Sequence, residues 1–230
     1  MTEVVGQRLM QRFARRFDVM VVSVVITLGL SVIQAPLTCI ALTFDDGPDS
    51  VTTPKVLDTL AHFRAHATFF VIGNRVAAHR NLLQHLYDTG NEIGNHTWSH
   101  PDLTRLSSAQ IRDQINSTQD AITNLGFPAP RYFRPPYEAR NDLVRRVVNM
   151  PFILWNVDPK DWHQNDPNVL AQLVISQVQP GSIVILHDTK SVTTQALPQI
   201  LERLQGQYHF VTITELLNLP PDAKGEFFKR

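Results

Sequence analysis

With 230 residues, 43% of them hydrophobic and 18% charged, the chain suits one large domain or two small ones and is apolar enough to bury a core. Its 21 basic and 21 acidic side chains cancel, which leaves no electrostatic footprint for nucleic acid as a partner. Cys39 is the only cysteine, so an internal disulfide is excluded.

Residues 1–35 differ from the remainder. Arg8, Arg12, Arg15 and Arg16 make a basic start, and Val19 to Ile33 follows without a charge. As a helix, these 15 residues measure about 22 Å, against about 30 Å for a bilayer's hydrocarbon core. That length suits the apolar region of a signal peptide, with Ala35 as a cleavage point despite the Pro36 that follows. A signal anchor is the alternative: residues 19–33 would then associate with the membrane, with the arginines cytoplasmic and the domain outside. A helix packed on the domain is the third reading. Either of the first two makes the protein secreted or membrane-anchored.

From Cys39 onward, short apolar runs alternate with amphipathic ones. Cys39–Leu42 reads as a buried strand that runs out into Thr43-Phe44-Asp45-Asp46-Gly47-Pro48. Thr52/Thr53-Pro54 opens a helix bearing Val56, Leu57, Leu60 and Phe63. Ala67–Ile72 is a second strand, 75–88 a helix, and Glu92–Gly94 a short strand leading to His96. Ser107-x-x-Gln110 is a capping box before a helix with Ile111, Ile115 and Ile122. Tyr132-Phe133 is a brief strand, Asn141 caps a helix, and Phe152–Val157 is a strand. Asp166-Pro167 opens another helix, Ser182–Leu186 is a strand, 194–204 is helical, and Phe210–Ile213 is the last strand before a short helix from Thr214. About seven alternations of this kind predict an α/β chain whose strands are parallel, with helices outside. One domain over 36–220 and a C-terminal tail over 221–230 follow from the absence of any linker or repeat.

In parallel α/β folds chemistry gathers at the C-terminal ends of strands, and the polar clusters fall there. Asp45 and Asp46 are adjacent carboxylates whose repulsion is costly unless a cation lies between them or one is protonated; a plain surface turn is the other reading. His96 and His100 in His96-Thr97-Trp98-Ser99-His100 lie at i and i+4, which on a helical turn would offer two nitrogen ligands to one metal. Surface histidines share that spacing. Arg134 stands in Arg134-Pro135-Pro136-Tyr137, where it either orients a carboxylate or makes an ordinary ion pair. Asp161-Trp162 follows the strand over 152–157, and Trp155 and Trp162 fit core positions equally well. Leu186-His187-Asp188 closes another strand; the histidine is either a satisfied structural group or a general acid.

Together these stretches resemble the polysaccharide deacetylases of carbohydrate esterase family 4, which include chitin and peptidoglycan N-acetylglucosamine deacetylases. The resemblance covers roughly residues 37–217 and rests on five motifs in order: TFDDGP, HTWSH, RPPY, DW and LHD. It implies a distorted (β/α) barrel with about seven parallel strands. It implies a metal triad of Asp46, His96 and His100, with zinc the first choice and cobalt, iron or nickel as alternatives. It makes Asp45 the general base, oriented by Arg134, and His187 the general acid, held by Asp161. The Tyr137 N–H would help bind the oxyanion, and Trp162 and Leu186 would wall the acetyl pocket. The implied reaction is metal-dependent removal of N-acetyl groups from an N-acetylated glycan, chitooligosaccharide or peptidoglycan, by a monomeric enzyme. An O-deacetylase such as an acetylxylan esterase, or a non-catalytic carbohydrate-binding relative, are the alternatives.

The third motif departs from the family at Glu138, where glycine is usual. Glutamate at positive φ is costly, so the loop is expected to avoid that conformation and to turn Glu138 toward solvent.

Overall fold

In this computed structural model residues 38–230 are described, so the basic and apolar segment over 1–35 lies outside the described residues. Among those described, no helix is long and apolar enough to cross a membrane.

Among the described residues, seven strands and eight α-helices follow one another. β1 (Cys39–Asp45), α1 (Thr53–His62) and β2 (Ala67–Val71) lead to a short helix α2 (Gly73–Val76), a 3-10 turn and α3 (Arg80–Asp88). Then come β3 (Glu92–Asn95), α4 (Ser108–Thr123), α5 (Asp142–Val147) and β4 (Phe152–Ile153). α6 (Pro167–Gln177), β5 (Ile183–His187), α7 (Ser191–Leu204), β6 (His209–Phe210), α8 (Ile213–Leu217) and β7 (Glu226–Phe227) complete the chain. The caps are those the side chains dictate. Ser107 and Gln110 form the reciprocal capping box of α4, Asn141 accepts from Val144 N–H at α5, and Asp166 accepts from Asn168 N–H at α6.

The sheet runs in the order β3-β2-β1-β5, every pair parallel, and β6 pairs with the first residues of β1. A separate parallel pair joins β4 to β7. Single bridges link the two: Phe133 pairs with Asn95 on one side and with Phe152 on the other, and Val157 pairs with Val184 of β5. The ring of parallel segments is thus closed through residues that barely qualify as strand, which is what makes the (β/α) barrel distorted.

Three expectations change in detail. The strand expected over 152–157 is regular only at Phe152–Ile153, and Tyr132-Phe133 contributes one bridge. The last strand stops at Phe210, because Thr212 and Glu215 form a capping box that starts α8 at Ile213. The stretch 221–230, expected to be a tail, carries β7.

Period-two alternation along β1 separates two environments. Ile40, Leu42 and Phe44 pack outward into the main core with α1, α6 and α7, whereas Ala41, Thr43 and Asp45 fall on the opposite, barrel-facing side. Ala41 belongs to a second, smaller apolar cluster with Phe70, Tyr132, Ile153 and Ile183. At the C-terminal rim the inward column ends in Asp45, and β5, in register with it, pairs His187 opposite Asp45.

Candidate active site

Strand ends bring the polar motifs into one cavity of about 570 Å³. Asp45 and Asp46 enter from the end of β1, His96 and His100 from the segment after β3, Tyr137 from the Arg134–Asn141 loop, and His187 from the end of β5.

Asp45 is 2% exposed and is held from behind by Arg134. That arginine is wholly buried, and each of its three nitrogens donates to an acceptor of the barrel. Nε donates to Ile153 O at 2.8 Å and Nη2 to Leu154 O at 3.2 Å, while Nη1 reaches Thr43 Oγ1 at 2.7 Å and Asp45 Oδ1 at 2.8 Å. The guanidinium lies 4.1 Å from the Phe70 ring centroid and 5.4 Å from that of Trp155. Burial lowers the Arg134 pKa, and the charge of Asp45 opposes that. A buried cation of this kind stays charged only with an anion beside it, so the pair is mutually dependent.

Asp46, His96 and His100 offer ligand atoms that all lie within 4.8 Å of one another. The His96 Nδ1 sits 2.7 Å from the Arg134 carbonyl oxygen, which can only accept. Nδ1 therefore carries the proton and Nε2 presents a lone pair, the tautomer a metal needs. That Nε2 lies 3.5 Å from Asp46 Oδ1, and His100 Nε2 lies 3.2 Å from the same oxygen. Asp46 Oδ1 is buried and has no hydrogen-bond partner. Electron-rich atoms facing one another across such distances, one of them an orphaned buried carboxylate oxygen, fit a divalent cation. Burial pushes the Asp46 carboxyl up, but His96, His100 and His187 outweigh it and hold the group well below the usual carboxylate range. Burial and the neighbouring His96 pull His100 below its ordinary value, toward the neutral form that binds metal.

The expected helical turn over His96–His100 is absent. Thr97 and His100 instead take left-handed backbone, φ 69° and 61°, and His100 N–H is tied to Thr97 Oγ1 at 3.0 Å. The two imidazoles converge through this kink rather than through i, i+4 spacing, with ring centroids 4.9 Å apart. Asp46 is left-handed too, φ 74°, with its carbonyl pinned by Arg75 Nη1 at 2.7 Å. Non-glycine residues in that region cost about 1–2 kcal/mol each, and here they cluster around one cavity.

His187 is braced by Asp161. Its Nδ1 is 2.6 Å from Asp161 Oδ1, and Asp161 Oδ2 accepts both the His187 N–H and the Thr193 hydroxyl at 2.6 Å. Burial pulls the imidazole down, but the bond to Asp161 and the charges of Asp161, Asp45 and Asp46 more than offset it and raise it to about 9. Nε2 is left as the nitrogen free to act.

Tyr137 has φ 58°, and its N–H finds no acceptor among the described residues. Glu138 does not avoid the left-handed region: its φ is 57°, and it lines the cavity, with its side chain 45% exposed and 3.3 Å from Arg140 Nη1. The expectation that the loop avoids this conformation is therefore corrected, while Glu138 itself is exposed, as expected.

Trp162 lines the cavity and is 57% exposed. Leu186 does not line it. Strand alternation turns Leu186 into the main core and leaves Ile185, on the same face as His187, at the cavity wall. Period two along β5 would have shown this. The sequence alone assigns no role to Thr43 and Asp188, although both stand in the motifs, nor to Thr193; Thr43 holds Arg134 and Thr193 holds Asp161. The Asp188 carboxyl is fully buried, accepts from the Thr53 hydroxyl, and is raised by burial to about 7. It packs so closely on Gly47 that a Cβ there would overlap it, which accounts for the glycine after the two aspartates.

The sequence profile of the polysaccharide deacetylase family matches residues 34–150. Peptidoglycan-N-acetylmuramic acid deacetylase PdaC of Bacillus subtilis is 42% identical over 178 residues, 77% of this chain and 38% of that protein. A peptidoglycan-N-acetylglucosamine deacetylase of Bacillus cereus is 38% identical over 187 residues, 77% of this chain and 87% of that protein. Among solved structures, the family 4 acetyl xylan esterase from Clostridium thermocellum in complex with a cobalt ion superposes with a TM-score of 0.79 at 35% identity, covering 83% of this chain and 98% of that one. The matched stretch spans 38% of the length of PdaC. A profile match over half the chain, relatives near 40% identity and a superposable barrel agree with the cavity's residues: the chain belongs to the polysaccharide deacetylase family.

Proposed function

We propose that residues 36–220, together with the β7 segment that pairs with β4, form a metal-dependent hydrolase domain that removes N-acetyl groups from N-acetylglucosamine-containing glycan and releases acetate. The observation that carries this reading is the division of labour within one cavity. An Arg134-held carboxylate lies on one side, an Asp161-held imidazole on the other, and the Asp46, His96 and His100 cluster lies with them.

A divalent ion on Asp46, His96 and His100 would polarise the scissile carbonyl and lower the pKa of a bound water. Asp45, kept in place by Arg134, accepts the proton of the attacking water. The unpaired Tyr137 N–H donates to the oxygen that becomes negative as the carbonyl turns tetrahedral. His187 Nε2 protonates the departing nitrogen, and Asp161 stabilises the imidazolium until that transfer. Trp162 and Ile185 offer apolar wall for the acetyl methyl group. Zinc suits one carboxylate and two imidazoles, and the cobalt in the Clostridium thermocellum esterase supports an N/O site that also takes other divalent ions.

The names of the Bacillus relatives support a cell-envelope glycan as substrate and an extracytoplasmic place of action, for which residues 1–35 would be the signal peptide or anchor. The xylan esterase supports O-deacetylation as a second reading, since the same residues serve an ester. Acetate release from peptidoglycan, chitooligosaccharides and acetylxylan, with and without chelator, decides between them. The expected result is release from the N-acetylated glycans, abolished by chelation and restored by zinc. Release confined to acetylxylan would favour the esterase, and no release from any of the three would point to a non-catalytic relative.

Independently, a chain started at Pro36 is expected to fold and remain soluble, because β1 begins only at Cys39. Insoluble protein would show that the residues before it belong to the domain.

A further inference from the structure

The backbone around Tyr137 is the least self-sufficient part of the cavity. Tyr137 and Glu138 are consecutive left-handed residues, neither of them glycine. Within the loop only Glu138 N–H to Pro135 O, 3.2 Å, and Ala139 N–H to Pro136 O, 2.9 Å, tie the backbone to itself. The remaining support comes from the Arg140 side chain, which is itself anchored outside the loop. Arg140 Nη1 donates to the Glu138 carbonyl oxygen at 2.8 Å and lies 3.3 Å from its carboxylate. Arg140 Nε in turn donates to Glu226 Oε1 at 3.1 Å, an oxygen that also accepts from Arg145 Nε at 2.7 Å. Glu226 opens β7, and β7 is paired to β4 through Phe152 N–H to Gly225 O and Leu154 N–H to Phe227 O. The Arg140 guanidinium also stands 5.9 Å from the Phe228 ring centroid. β4 and the residue after it supply the two carbonyls that hold Arg134.

We propose that Arg140 and Glu226 are positioning residues for the oxyanion-binding loop: they clamp the left-handed Glu138 from the C-terminal strand and so keep the Tyr137 N–H in place where the family's usual glycine would need no clamp. The residues after 220 then belong to the supporting structure of the active site and are no appendage. This inference rests on the reading of Tyr137 N–H as an oxyanion donor, although the clamp itself does not.

Both ion pairs are partly buried, with the Arg140 side chain 14% and the Glu226 side chain 23% exposed. Arg140→Ala and Glu226→Ala are therefore expected to lower the thermal midpoint somewhat, and to leave metal occupancy nearly unchanged because neither residue is among the metal-facing ones. A donor misplaced by an ångström costs the transition state more than the ground state, so kcat on a chitooligosaccharide should fall about tenfold or more with KM within about twofold. Glu226→Gln, which still accepts from both arginines, should recover most of the loss. The sharper test is the double variant Glu138→Gly with Arg140→Ala. Glycine adopts positive φ unaided, so this protein should be within about threefold of Glu138→Gly alone. A second readout needs no turnover: amide exchange over 135–139 should accelerate in Arg140→Ala and not elsewhere in the barrel. Wild-type kcat retained in Arg140→Ala, or an equal loss with and without Glu138→Gly, overturns the proposal. A wild type that releases no acetate from any glycan would overturn the functional reading instead. In that case unchanged amide exchange in Arg140→Ala overturns the clamp, and local acceleration upholds it.

Discussion

Asp45→Asn is expected to lower turnover by about a hundredfold or more, roughly 2.7 kcal/mol in the barrier, while the protein keeps its metal. His100→Ala is expected to lose both metal and activity. The two outcomes differ because the adjacent aspartates face different partners. Asp45 Oδ1 is bound to Arg134 Nη1 at 2.8 Å, so that carboxylate is already neutralised by a protein cation. Asp46 Oδ1 has only imidazole nitrogens nearby, 3.2 and 3.5 Å away, and no hydrogen bond. An asparagine at 45 keeps an oxygen for Arg134 but has no basic site for a proton. It also leaves a fully buried guanidinium with a weaker partner, and breaking such a pair outright costs about 3–5 kcal/mol. Turnover is therefore to be compared on protein shown to be folded, with zinc counted by elemental analysis. Retention of metal in Asp46→Asn together with its loss in Asp45→Asn would reverse the assignment of the pair.

Which residues meet was legible in the sequence; how they meet was not. Motifs at the ends of predicted strands had to converge once the strands were parallel, and Asp45 opposite His187 follows from β1 and β5 lying side by side in register. The i, i+4 spacing of His96 and His100 pointed to two imidazoles that do converge, but not by way of a helical turn. The backbone kinks at Thr97 and His100; left-handed threonine runs against its propensity, and histidine's modest tolerance of that region does not single out this position, so the surrounding fold decides it. Glu138 is the same case: local sterics argued against positive φ, and the support it receives comes through Arg140 from Glu226, on a strand 86 residues beyond that arginine.

Leu186 and Ile185 show a different limit. Motif matching singled out the leucine next to His187, whereas strand periodicity, available in the same five residues, sends it to the core. Thr193 is harder. It lies 32 residues from Asp161, its hydroxyl is one of many on helices, and only the packing of α7 behind β5 aims it at the carboxylate. The short strand β7 escaped for a physical reason too: two residues are too few for any hydrophobic period, and its pairing with β4 is decided by the barrel's need to close.

Asp161→Asn is expected to shift the alkaline limb of the kcat/KM profile to lower pH by about one unit or more and to lower kcat at neutrality. The general acid works only while protonated, so activity holds below the pKa of His187 and is lost as pH rises through it. Burial opposes protonation of this imidazole, yet it is raised to about 9 because Asp161 both bonds to Nδ1 and carries a charge beside it, with Asp45 and Asp46 adding to the effect. A bound dication pulls His187 down from there in wild type and variant alike, so the difference between the two proteins is the informative quantity. With asparagine at 161 the nearest negative charge is gone while the burial remains, and the imidazole titrates lower. The same residue has a structural duty, because Oδ2 accepts from both the His187 N–H and the Thr193 hydroxyl at 2.6 Å, and an amide cannot satisfy three donors as a carboxylate does. Some loss of kcat at every pH is expected from that, and it is the displaced limb that separates charge from mere orientation. Linkage gives an independent check in metal-stripped protein. A histidine raised from 6.5 to about 9 adds stability that is fully present below about 6.5 and is lost as pH climbs through about 9. Wild-type unfolding midpoints should therefore decline across that window, and those of Asp161→Asn should decline less. An alkaline limb that coincides in the two proteins would show that His187 is not the acid whose titration ends activity.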